Sequence, residues 1–103
     1  MKQYKLVVHK EAHLDIASTY FYISDTLYAE EAADRWLNRI YKAINSIPQN
    51  PTSYRLCEEP YFSKRDYRKM IVRNHLILYT VSEDTVTICR VVDGRRDLTR
   101  IKP

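Results

Sequence analysis

Arg65-Asp66-Tyr67-Arg68-Lys69-Met70-Ile71-Val72-Arg73-Asn74-His75-Leu76-Ile77-Leu78-Tyr79-Thr80-Val81, continued by Thr85-Val86-Thr87-Ile88-Cys89-Arg90-Val91-Val92-Asp93-Gly94-Arg95-Arg96-Asp97, is the stretch that decides how this chain folds. β-Branched, aromatic and aliphatic residues alternate there with basic ones. Two polar breaks, around Asn74 and at Ser82-Glu83-Asp84, cut it into three strand-length pieces. The pattern predicts a β-meander that carries arginines. Its Gly94-Arg95-Arg96-Asp97-Leu98 close falls where the last strand ends and a surface begins.

Upstream the period changes from two to that of a helix. Ala29, Ala33, Trp36, Ile40, Ala43 and Ile47 step by four or three, with charged residues mostly off the stripe, until Pro48 and Pro51 stop the helix. Ile16, Tyr20, Ile23 and Leu27, with Ala17 beside them, draw a similar stripe, and Ser24-Asp25-Thr26 offers turn and cap chemistry between the two helices. Trp36 reads as a core residue. Tyr4, Leu6 and Val8 open the chain as a short strand. The resulting expectation is an α+β fold: a short N-terminal strand, an antiparallel helical hairpin, then a three-stranded antiparallel β-meander. The helices pack on one sheet face and the other face is left for partners. The connector from Pro48 to Ser63 reads as an exposed loop in which the Glu58-Glu59 carboxylates are solvated, and Arg100-Ile101-Lys102-Pro103 reads as frayed.

With 103 residues the chain is long enough for one core, so residues 1–103 are expected to form one domain. No segment approaches the ~20 apolar residues of a membrane span and no signal peptide is evident, which predicts a cytoplasmic protein. Cys57 and Cys89 are far apart, with no C-x-x-C spacing and no partner histidine, so two free thiols are expected and neither a metal nor a cofactor. Charge is unevenly placed. Residues 1–63 carry 7 Lys and Arg against 8 Asp and Glu, whereas residues 64–103 carry 10 against 5. The meander and tail therefore hold all the positive excess, which suits nucleic acid or an acidic protein segment as partner.

Tyr67-Arg68-Lys69-Met70-Ile71-Val72, Leu76-Ile77-Leu78-Tyr79 and the Ile88-to-Leu98 run, in this order behind two helices, resemble the toxins of the RelE/ParE superfamily, the poison halves of type II toxin-antitoxin pairs of the plasmid-stabilisation type. The resemblance covers nearly the whole chain. It implies a cognate antitoxin as partner and either of two targets, with no small-molecule substrate. RelE-like members cut messenger RNA on the ribosome by driving a 2′-hydroxyl onto the neighbouring phosphate, which needs basic groups around the phosphate and a proton carrier. Under that reading the catalytic set is Arg68, Lys69, His75 and Arg96. ParE-like members poison DNA gyrase and need no such set.

This chain is closer to the ParE-like branch. Leu76 stands where RelE-like sequences carry an arginine, and no Tyr or His follows Asp97 as a terminal acid. Either loss costs orders of magnitude in rate. Arg90, Arg95 and Arg96 are then the expected target contacts, in competition with internal pairing to Asp93 or Asp97. A nontoxic basic module that binds nucleic acid or protein is the remaining expectation.

Overall fold

The structure, a computed structural model, describes residues 3–95 and 98–101. Arg96 and Asp97 lie outside the described residues. The elements run β1 (Lys5–Val8), α1 (Lys10–Phe21), a π-helical turn (Tyr22–Thr26), α2 (Glu30–Ser46), a 3-10 turn (Ile47–Gln49), the single turn α3 (Pro60–Ser63), β2 (Arg68–Val72), β3 (His75–Val81), β4 (Thr85–Asp93) and a last 3-10 turn (Leu98–Arg100). The sheet order is β1-β4-β3-β2. The meander strands are antiparallel and β1 runs parallel to β4. This is the expected α+β arrangement, closed on one side by a parallel strand.

The helix stripe of α2 is buried as its period requires: Ala33, Trp36, Ile40, Ala43 and Ile44 face the sheet and Ile47 continues the line. Glu30 and Glu31 occupy the first turn, where the helix dipole favours them. α1 departs from expectation at its end. The Leu27 N–H donates to the Tyr22 carbonyl, an i→i+5 bond of 3.1 Å, and this wider turn carries Leu27 off the Ile16-Tyr20-Ile23 stripe into solvent. Ser24-Asp25-Thr26 lies within that turn and caps nothing; Ala29 stands at the N-cap of α2.

Both faces of the meander are covered, and this corrects the expectation of an open second face. Ile77, Tyr79, Val86, Ile88 and Val91 pack under the helices, while Leu76, Leu78 and Val92 point the other way. Three large apolar side chains in water would cost several kcal/mol at about 1.5–3 kcal/mol each. The chain shields them with Cys57 and Phe62 from the connector and Leu98 and Ile101 from the tail. Ile101 is only 3% exposed, so the tail is docked at this point rather than frayed.

The connector achieves this by wrapping the outer edge of β2. On the helix side Tyr54 packs with the core, and the Tyr79 hydroxyl donates to the Pro51 carbonyl at 2.6 Å. Leu56 then bridges Arg68, and Cys57 arrives on the second face. Glu59 is correspondingly not a solvated carboxylate: it sits partly buried, 3.5 Å from Lys69.

A bulge completes the frame. Leu78 pairs with Arg90 but Tyr79 with Ile88, so Cys89 is the extra residue of β4, and the inward set shifts from Val86 and Ile88 to Val91. β4 also outruns β1. Ile88 accepts the last rung from His9 N–H at 2.9 Å, and the next outward group, Val91 N–H, is taken at 2.9 Å by the Asp15 carboxylate of α1. The same carboxylate grips Arg90 bidentately at 2.7 and 2.9 Å.

Candidate functional site

The rim at the hairpin end of the sheet is built from two chain segments. A two-residue turn, Arg73-Asn74, sets Val72 opposite His75, and β4 brings Asp93 opposite His75 from the other side. The Gly94 N–H then donates to the Asn74 carbonyl at 2.6 Å. A Cβ on Gly94 would stand 3.1 Å from that oxygen, so close approach, not a left-handed backbone, requires the chain's one glycine here. The turn and the chain after β4 are thereby locked together.

Asp93 holds Arg95 in place. Its Oδ1 accepts from the Arg95 backbone N–H and Nε at 2.9 and 3.1 Å, and its Oδ2 accepts from Nη2 at 2.9 Å. These donors hold the Asp93 carboxyl well below the usual carboxylate range. His75 sits behind the pair against Trp36, ring centroids 5.3 Å apart, and its Nδ1 accepts from Trp36 Nε1 at 3.4 Å. Burial pushes the imidazole below its ordinary value, reinforced by Arg95 and opposed by Asp93, so it is neutral at physiological pH with its proton on Nε2.

Across from this rim stand Tyr22, Ile23 and Leu27 of the π-helical turn, with Ser18 and Thr19 of α1. Between the two walls lies a groove of about 460 Å³. One wall is polar and charged, the other largely apolar, an arrangement fitted to a peptide or protein surface. Cys57 and Cys89 are no alternative centre. Burial pushes the Cys57 thiol up to about 11 and raises that of Cys89, so both stay protonated and unreactive at neutral pH. Among the described residues no cluster of His, Cys, Asp and Glu could hold a metal, and no helix is long and apolar enough to cross a membrane.

Residues 6–98 match the family described as ParE toxin of type II toxin-antitoxin system, parDE. The chain belongs to this ParE toxin family. Its fold is similar to that of a solved structure titled "Chromosomal ParDE TA system from P. aeruginosa", with a TM-score of 0.75 and 18% identity over 88% of this chain and 96% of that one. No curated protein matches the chain.

Within the ParE frame the residues singled out from the sequence go to separate places. Arg68 lies on the helix-facing side with Met70 and Val72, and its Nη1 donates to the carbonyls of Tyr54 at 2.7 Å and Thr52 at 3.3 Å, pinning the connector. Lys69, on the opposite face, pairs with Glu59. Arg68 opposes Tyr79 while His75 opposes Val72, so four strand steps of about 3.3 Å, roughly 13 Å, separate Arg68 from the imidazole. Leu76 is core beneath the tail, which accounts for an aliphatic residue at that position. Arg90 is committed to Asp15 at the far edge of β4. Of the expected target contacts, Arg95 is on the rim and Arg96 lies outside the described residues.

Two residues of consequence were not flagged from the sequence. Asp15 had a signal: it shares a helix face with Ala12 and Ile16 at the i−3 and i+1 positions, and a carboxylate beside a buried stripe asks for a partner. Arg73 had none beyond the turn itself. It adopts a φ of +54°, which Asn or Gly would be expected to fill.

Proposed function

We propose that this ParE-family chain, acting as a single cytoplasmic domain over residues 1–103, is the toxin of a type II pair that blocks DNA gyrase and is held inactive by a cognate antitoxin. The observation that carries the reading is the dispersal of the basic residues an RNA-cleaving site needs. Arg68 and Lys69 are neighbours on opposite sheet faces, each engaged internally, and both are remote from His75. A transphosphorylation centre needs its cations and proton carrier around one phosphate. A blocking protein needs only a surface, and the rim offers Arg95 beside an apolar wall.

Induction in cells without an antitoxin tests this. The reading expects DNA double-strand breaks, an SOS response and protection by a drug-resistant or ParE-resistant gyrase. Transcripts newly cut in the ribosomal A site, with intact DNA, would transfer the function to the ribosome-dependent endonuclease; harmless expression would point to a nontoxic binding module. Arg95→Ala and Arg96→Ala are expected to lower toxicity at least tenfold while antitoxin co-purification persists.

A further inference from the structure

The loop that joins α1 to α2 carries a surface that neither the core nor the rim accounts for. Phe21, Tyr22 and Leu27 are each more than half exposed and Tyr28 is 92% exposed, so three rings and an aliphatic side chain stand in water within one short stretch. Two main-chain bonds fix this display. Leu27 N–H donates to the Tyr22 carbonyl and Ala29 N–H to the Ile23 carbonyl, each at 3.1 Å. Tyr28, held between these two anchors, takes a φ of +51°, a left-handed backbone that is strained for tyrosine and open to glycine. A backbone kept in that region by its neighbours, with its ring in solvent, points to a contact made outside the chain.

The charge around this knob decides what kind of contact it can make. Residues 11–34 hold six acids, Glu11, Asp15, Asp25, Glu30, Glu31 and Asp34, and no lysine or arginine, in a chain whose net charge is +4. Asp15 is committed to Arg90, and Asp34 accepts from the Tyr20 hydroxyl. Asp25, Glu30 and Glu31 flank Leu27 and Tyr28 in sequence, are exposed, and enter none of the ion pairs among the described residues. The helix dipole accounts for two glutamates in the first turn of α2, but not for Asp25 or for the rings. Nucleic-acid phosphates, anionic lipid headgroups and an acidic peptide are all repelled here. An arginine or lysine is attracted, because it can lie on a tyrosine face with a carboxylate beside it.

We infer, resting on the reading of this chain as a protein that blocks a protein, that the knob binds a basic surface of that target. Tyr22 and Leu27 also line the groove whose other wall holds Arg95. One target surface can therefore span both, presenting cations to the knob and a carboxylate to the rim. Tyr28, at the tip, is the anchor of the contact, and Asp25 sets the charge it accepts.

The experiment induces the intact chain in graded amounts in cells without an antitoxin and measures the dose that halves growth, a readout independent of which target is hit. Tyr28→Gly should need at least tenfold more protein than the parent, the loss of one aromatic anchor, while holding the antitoxin with unchanged affinity. It should melt close to the parent, because glycine suits that backbone, so misfolding cannot account for the loss. Asp25→Lys, in a turn where Asp25 caps nothing, should lower toxicity severalfold. Equal potency of Tyr28→Gly and the parent, or unchanged or raised potency of Asp25→Lys, would overturn the inference. So would a Tyr28→Gly chain that loses the antitoxin or changes its own oligomeric state. DNA breaks scored in the same cultures test the gyrase reading separately. Breaks with undiminished Tyr28→Gly potency sink the knob alone, ribosomal cuts with the tenfold loss sink gyrase alone, and harmless expression of the parent sinks both.

Discussion

Arg90 with Asp15 and Arg95 with Asp93 are chemically the same bidentate pair, yet the fold uses them in opposite ways. The first joins residues 75 apart in sequence with both side chains 15% exposed; the second joins residues two apart, with the arginine side chain 87% exposed and the aspartate 32%. In the first pair, the carboxylate also satisfies Val91 N–H, where β4 has lost its neighbour β1. Removing either member there strands a buried donor or charge. In the second, water can replace any partner. One arginine is a fastener between a helix and a sheet edge, and the other is a positioned but replaceable charge that a partner can reach.

The sharpest way to break this contrast is Asp15→Ala. Depriving a largely buried guanidinium of this carboxylate and the Val91 N–H of its acceptor costs about 3 kcal/mol, at the low end for broken buried pairs because some solvent reaches the site. For a domain of this size that lowers Tm by about 12 °C or more. Asp15→Leu combined with Arg90→Met should recover much of the loss, since the charge goes with this carboxylate, although the Val91 N–H stays unmet. A thermal melt in which Asp15→Ala changes Tm by less than a few degrees would mean the helix is held to β4 by packing alone.

What the sequence made legible follows the same division. Periodic features were readable: the α2 stripe through Trp36 and Ile40 is a repeating signal, and the meander strands alternate between two breaks. The unbroken apolar run Leu76-Ile77-Leu78-Tyr79 is a pattern of burial on both faces, since a half-exposed strand would interrupt it with polar residues, and the expectation of an open second face passed over it. Its cover was not readable, since Phe62 and Ile101 sit in segments without any period. Nor was the Asp15–Arg90 grip, which depends on two single residues far apart in sequence and on a bulge at Cys89. On the rim, Gly94-Arg95 was visible as a strand-end close. The Trp36 contact that makes His75 a neutral packing residue was not.

His75 refines the comparison at its centre, behind the exposed pair. Its folded pKa lies below the unfolded value of about 6.5, chiefly through burial. Between those two values the unfolded chain binds more protons than the folded one, so stability rises with pH there and is lost as pH falls below about 6.5. His75→Phe keeps a ring against Trp36 and leaves Trp36 Nε1 without its acceptor, costing about 1 kcal/mol near neutrality. The variant should show a flatter change in urea midpoint between about pH 7 and about pH 5.5 than the parent. Asp93 does not blur this test. Its pKa is depressed, so its contribution is fully present above the unfolded carboxylate value of about 3.9 and is lost only at more acid pH. An unchanged slope in His75→Phe would assign the acid sensitivity elsewhere.

The smallest expected effect belongs to Asp93→Asn. Three donors converge on this carboxylate, but they come from a residue two positions away whose guanidinium lies in solvent, so little chain entropy is saved and salt screens the attraction. The amide oxygen of the substituted side chain can still accept the Arg95 backbone N–H that shapes the turn. The change in stability should be within about 0.5 kcal/mol and independent of added salt in the variant, while Arg95 gains a full unshared positive charge. If the rim arginine contacts an acidic surface of its target, toxicity then holds steady or rises, whereas a structural Arg95 would lose both position and effect. A loss above about 1.5 kcal/mol would show the rim pair to be a second fastener, like Arg90 with Asp15, and would withdraw Arg95 from the surface offered to partners.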